Sequence, residues 1–155
     1  MPKDFAPDGY AKAIALTEEA MRVTDETHYE KGEELLREAM ELVPEEPHFL
    51  KNYVEFCLQV AHNCTLGDDH KEATIYYRKA LEQTPDDAEA WMDLGAAYAR
   101  DNKALDALQA WQSALALLNP RKGRDKANIE EILENVRTME KLLASGGGRD
   151  RRRRS

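Results

Sequence analysis

Cys57, His62, Cys64 and His70 are spaced C-x4-H-x-C-x5-H, a set of thiols and imidazoles of the kind that holds zinc. A tetrahedral site needs all its ligands to converge on one point. On a single helix, at 100° per residue, His62 falls about 140° around the axis from Cys57 and points away from the cysteine face. The residues therefore read as core thiols and solvent-facing histidines, with no metal and no cofactor implied. Cys57 and Cys64 are two turns apart, so their Cα atoms stand roughly 10 Å from one another at about 1.5 Å rise per residue. That is beyond disulfide reach, and the pair reads as buried, reduced thiols.

Other chemistry is poorly supported. The chain has no G-x-S-x-G elbow, no glycine-rich phosphate loop and no H-E-x-x-H helix. The expectation is a protein that is not an enzyme. Its many carboxylates, Glu33-Glu34 and Glu130-Glu131 among them, read as solvated helix faces set among lysines and arginines. The basic run Arg149-Asp-Arg-Arg-Arg-Arg154 has the charge to meet nucleic acid, an anionic membrane or an acidic partner. The plainer reading is a charged end that aids solubility or touches the chain's own acidic body.

That body is strongly acidic. The 155 residues carry a formal charge of −8. Ser145–Ser155 holds five arginines against one aspartate, net +4, which leaves −12 for the rest. Such a surface repels phosphates and suits a basic partner. With 34% charged, 42% hydrophobic and 7% aromatic residues and sparse Gly and Pro, the composition favours helix. No apolar run reaches the ~18 residues of a membrane span, and Met1 to Gly9 has no apolar signal core, so a cytoplasmic location is expected.

The elements that position these residues repeat. Ala39-Met-Glu-Leu-Val-Pro44, Ala80-Leu-Glu-Gln-Thr-Pro85 and Ala114-Leu-Ala-Leu-Leu-Asn-Pro120 are three helix ends of one kind, 41 and then 34 residues apart. A helix stopped by proline at such intervals indicates stacked helix hairpins. The third segment reads Trp91-Met-Asp-Leu94-Gly95-Ala-Ala-Tyr98, then Ala107-Leu-Gln-Ala-Trp111, then Pro120. Gly95 and Ala107 are small where two helices must approach. Trp91, Leu94, Tyr98 and Trp111 fill the space around them.

This segment resembles the tetratricopeptide repeat, W-x2-L-G-x2-Y…A-x3-F…P, with Trp111 in place of Phe and Pro120 one residue late. The second segment keeps Ala73-x3-Tyr77 and Pro85, with Leu66-Gly67-Asp68-Asp69 as its turn. Its first helix, from about Pro47 to about Thr65, is two turns too long and is expected to project one end beyond its neighbours. The first segment has Leu16, Ala20 and Val23, a turn over Asp25 to Thr27, then Gly32-x3-Leu36 and Pro44. After Pro120, Ile129, Ile132, Leu133, Val136, Met139, Leu142 and Leu143 recur at helical spacing as a capping helix. The resemblance implies an all-α, right-handed α-α superhelix. Its expected divisions are an N-terminal arm over 1–9 and a repeat domain over 10–144. The repeats cover about 11–44, 45–85 and 86–120, the cap about 124–144, and a disordered tail 145–155.

In this family the first helices of the repeats line a concave groove for an extended peptide or a partner helix. Carried onto this chain, the groove comprises Ile14, Thr17, Met21 and Asp25, then His48, Lys51, Glu55, Leu58 and His62, then Glu89, Met92, Ala96 and Arg100. Its methionines suit an adaptable surface. Some relatives clamp a C-terminal carboxylate with Lys, Asn and Arg. Thr17 and Met21 stand where that clamp has Lys and Asn, and Lys51, Asn52 and Arg100 do not rebuild it. The implied function is a non-enzymatic adaptor or scaffold within a larger assembly. A second reading is a cytosolic chaperone similar to the three-repeat chaperones of secreted translocators. A third is self-association through exposed repeat ends.

Overall fold

A computed structural model describes residues 7–25 and 28–153, with side chains described for 9–25 and 28–146. These residues form seven α-helices and no strand: α1 Pro7–Val23, α2 Glu30–Leu42, α3 Pro47–Leu66, α4 His70–Gln83, α5 Ala88–Arg100, α6 Ala104–Leu117 and α7 Gly123–Arg153. Helices α1/α2, α3/α4 and α5/α6 pack as successive hairpins, α4 also packs on α5, and α7 closes on α6.

The alanines that mark the repeat are fully inside. Ala39, Ala80 and Ala114 are all buried, and so are Ala73 and Ala107 on the same second helices. Without side-chain bulk there, paired helices approach closely, and larger residues fill in around them. One core runs through the first two hairpins and into the third, built on Leu35, Leu36, Tyr53, Cys57, Tyr76, Tyr77 and Leu94. A second joins Trp111 and Ala107 to Ile132 and Met139 of α7.

Local signals fix the ends. Asp69 and Asp87 cap α4 and α5, accepting from the backbone N–H of Glu72 at 3.2 Å and of Ala90 at 3.1 Å. Asp68 and Asn102 both adopt φ 60°, the left-handed conformation that Asp and Asn tolerate best after Gly. They sit 34 residues apart, at the same place in the second and third hairpins.

Two expectations shift. α1 begins at Pro7, inside the expected arm of 1–9, because proline fits a first helical turn where its missing N–H is not needed. Residues 1–6, and Glu26 and Thr27 of the first turn, lie outside the described residues. α7 continues to Arg153, through the Ser145–Gly148 stretch where the helix was expected to stop. Glycine costs a helix only about 1 kcal/mol per residue, and no proline blocks the hydrogen-bond ladder there. Residues 154 and 155 of the tail lie outside the described residues. The long α3 is packed at its N-terminal end. Phe49 is buried among Ala13, Ala39 and Val43 of the first hairpin, and Tyr10 meets its ring edge-on at 5.6 Å. At the other end Leu66 is 84% exposed.

Candidate functional site

α1 and α3 run beside each other without close packing, and the gap between them is a cleft. It consists of two adjoining hollows of ≈ 390 and ≈ 560 Å³. Ala20, Met21, Leu36, Asn52 and Glu55 line the first, while Asp25, Tyr29, Val60, Asn63, Cys64 and Asp69 line the second. Thr24, Phe56 and Gln59 are common to both. Its floor is apolar and aromatic, and its charged lining residues Asp25, Glu55 and Asp69 are all acidic. Met21, 76% exposed, stands at the rim as an unpacked apolar side chain.

The residues expected to line a groove separate into three groups. Met21, Asp25 and Glu55 line the cleft directly. His62 reaches across to α5, with Nε2 3.2 Å from Asp93 Oδ2, and its ring meets Tyr77 edge-on at 5.6 Å. Lys51 pairs with Glu55 at 3.8 Å, and Glu89 and Arg100 are exposed along the same side. Ile14 is 38% exposed, and Ala96 is half-buried. The remaining four are held by the fold. Thr17 donates its hydroxyl to the Ala13 carbonyl at 2.9 Å. His48 lies against Tyr10 and Phe49. Leu58 packs on the central core. Met92 packs against the cluster around Trp111, and its carbonyl accepts from the indole N–H at 3.3 Å.

Asn52, Phe56, Gln59 and Asn63 were missed. The row His48, Lys51, Glu55, Leu58, His62 is the ridge of α3 directly opposite its buried face. The wall facing α1 lies about one residue's rotation further round, roughly 90° at 100° per residue. The wheel locates the ridge; only the position of α1 shows which flank becomes a wall.

Glu33 corrects the reading of the carboxylates. It is 6% exposed, not a solvated face. Its oxygens accept from Lys79 Nζ at 2.8 and 2.9 Å, from the Tyr76 hydroxyl at 3.0 Å and from Arg37 Nη2 at 2.6 Å. Arg37 also donates to the Tyr53 hydroxyl at 3.0 Å. One carboxylate of α2 is thereby tied to α4 directly and to α3 through Arg37, which satisfies it inside the fold. Burial pushes the Tyr53 hydroxyl and the Cys57 thiol up to about 12, and Tyr76 is raised by burial and by its bond to Glu33. Cys57 and Cys64 are free and buried, and Cys64 Sγ lies 3.9 Å from the Tyr29 hydroxyl. His62 and Cys64 face different neighbours. Among the described residues no three His, Cys, Asp or Glu side chains are placed to hold a metal ion.

In the third hairpin α5 and α6 approach closely at Gly95. A Cβ added to Gly95 would fall within 2.8 Å of three atoms of the Trp111 indole. Residues 76–109, one 34-residue period through this hairpin, match the model of the tetratricopeptide repeat family. A tetratricopeptide repeat thus runs through α4, α5 and α6. The chain's helix hairpins form an α-α superhelix closed by α7, and solved structures share that fold. The N-terminal domain of stress-induced protein-1 from C. elegans is 19% identical, with 87% of this chain and 99% of that one covered and a TM-score of 0.52. The Hsp90 co-chaperone Cns1 from Saccharomyces cerevisiae is 14% identical over 96% of this chain and 46% of its own, with a TM-score of 0.55. No curated protein matches the chain. The repeat is a protein-interaction fold, and among the described residues no helix is long and apolar enough to cross a membrane.

Proposed function

We propose that this tetratricopeptide-repeat protein is an adaptor whose α1–α3 cleft holds an extended peptide or amphipathic helix of a protein partner within a larger assembly. Residues 10–144 act as one binding unit. The observation that carries this reading is the cleft itself: an apolar and aromatic floor, Met21 left unpacked at its edge, and a charged lining made only of acids. Burying one large apolar side chain there contributes about 1.5–3 kcal/mol. The carboxylates favour a partner with basic residues flanking that anchor. Glu55, His62, Glu89, Ala96 and Arg100 extend the contact along α3 and α5, and Ile14 does so along α1. The partner is not a carboxylate-clamp ligand, because Thr17 and Met21 replace the Lys and Asn that would grip a chain terminus. The adaptor works in the cytoplasm.

The test compares two faces. Met21→Glu with Gln59→Arg alters the cleft, and Leu105→Glu alters an exposed residue of α6. A partner recovered with the wild type and the Leu105 variant but lost with the cleft variant is the expected result. Equal recovery by all three would place binding elsewhere.

A further inference from the structure

The face of α5 opposite the groove carries a second cleft, outside the binding reading above. The mean direction of Trp91, Leu94 and Tyr98 lies about 170° around α5 from that of Glu89, Met92, Ala96 and Arg100 at 100° per residue. The first three residues floor a hollow of ≈ 450 Å³ between α4 and α6. Arg78 and Glu82 of α4 form one wall, and Asp106 and Gln109 of α6 form the other. Trp91 and Tyr98 are only half-buried. Lys12–Glu38, Lys51–Glu55, His62–Asp93 and the Glu33 cluster are paired charges on other faces. Arg78, Glu82 and Asp106 make no ion pair among the described residues. An aromatic floor between two unpaired carboxylates is a receptor for a guanidinium, which stacks on the rings and pairs with the acids.

The chain carries such a ligand in Arg149-Asp-Arg-Arg-Arg-Arg154. α7 packs on α6 as far as Met139, every residue from Glu140 to Gly146 is exposed, and the helix continues to Arg153. We infer that the cleft over Trp91 and Tyr98 binds the Arg149–Arg154 segment of a second copy of the chain. Arginines of the incoming segment meet Glu82 and Asp106, and its single acid, Asp150, complements Arg78. The tail of one copy meets a different surface on the next, so the contact is head-to-tail. It does not close on itself as a two-fold dimer does, and growth past a dimer follows.

Sedimentation velocity of the full chain tests this. At about 50 mM salt the average mass should rise past that of a dimer as concentration increases. At about 1 M salt, where the Debye length falls to about 3 Å, it should return to that of the monomer. Glu82→Lys with Asp106→Lys, both exposed and checked for fold by circular dichroism, should be monomeric at either salt. A labelled peptide of residues 145–155 should bind the wild type and bind this double variant at least tenfold more weakly. The Met21→Glu, Gln59→Arg variant should bind the peptide as the wild type does, so failure of the groove reading and failure of this one are separable. A full chain that stays monomeric at low salt, or a peptide that binds the Lys variant unchanged, would overturn the inference.

Discussion

Two junctions hold this molecule together by different means. Within the third hairpin, α5 and α6 meet through shape, with Gly95 against the Trp111 indole and buried Ala107 and Ala114 beside it. Between the first and second hairpins, α2 meets α3 and α4 through charge, with Glu33 bound by Lys79, Tyr76 and Arg37. The first junction is local: its partners lie 16 residues apart and follow a fixed spacing. The second joins residues 46 positions apart with no spacing to advertise it. A repeat can thus keep its hairpin generic and make the contact with its neighbour particular.

The comparison can be broken from either side. Trp111→Ala empties the tightest part of the third hairpin and should lower stability by about 3–5 kcal/mol, read as a shift in urea midpoint. Glu33→Ala strands two cations and a buried hydroxyl. Because Arg37 and Lys79 are partly exposed and recover some hydration, the loss should be smaller, about 2–4 kcal/mol. Hydrogen exchange should show that loss in α2–α4 and the Trp111 loss in α5–α7. Gly95→Ala pushes a methyl into the indole and should cost about 1–3 kcal/mol. The same change at the exposed Gly67 has no such neighbour, which isolates the clash.

Alkali should loosen the junction of the first two hairpins. Burial raises Tyr53, Tyr77 and Cys57 to about 12, from about 10 for a free tyrosine and about 8.5 for a free thiol. Between those values the folded chain keeps protons that the unfolded chain has released, so stability falls as pH rises through about 9 to 12. Urea midpoints measured across that range should decline steadily, and a flat profile would contradict the burial assigned to these groups. The smallest effect is expected at the turns. Asn102→Ala puts an ordinary side chain at φ 60° and should cost about 1 kcal/mol.

The sequence made the hairpins readable because helix-stopping prolines, buried alanines and left-handed turn residues all act within a few positions of themselves. It misread Glu33 for the same reason. Arg37, four residues on, makes Glu33 look like half of a surface pair, whereas Lys79 and Tyr76, which bury it, lie on another hairpin. Phe56 and Gln59 escaped because helical periodicity locates the face away from the core but not which flank a neighbouring helix leaves open. Leu58 and Met92, expected in the groove, turned inward because their flank is the one that is covered.

The account's central claim is that the α1–α3 cleft is where a protein partner is held. Photo-crosslinking in living cells tests it most directly, with a benzophenone side chain at Met21 in one strain and at Leu105 in another. The two residues are comparably exposed, at 76% and 73%. A discrete crosslinked species from Met21 alone is the predicted result. Capture from Leu105 alone, or the same species from both positions, would contradict the assignment of the cleft.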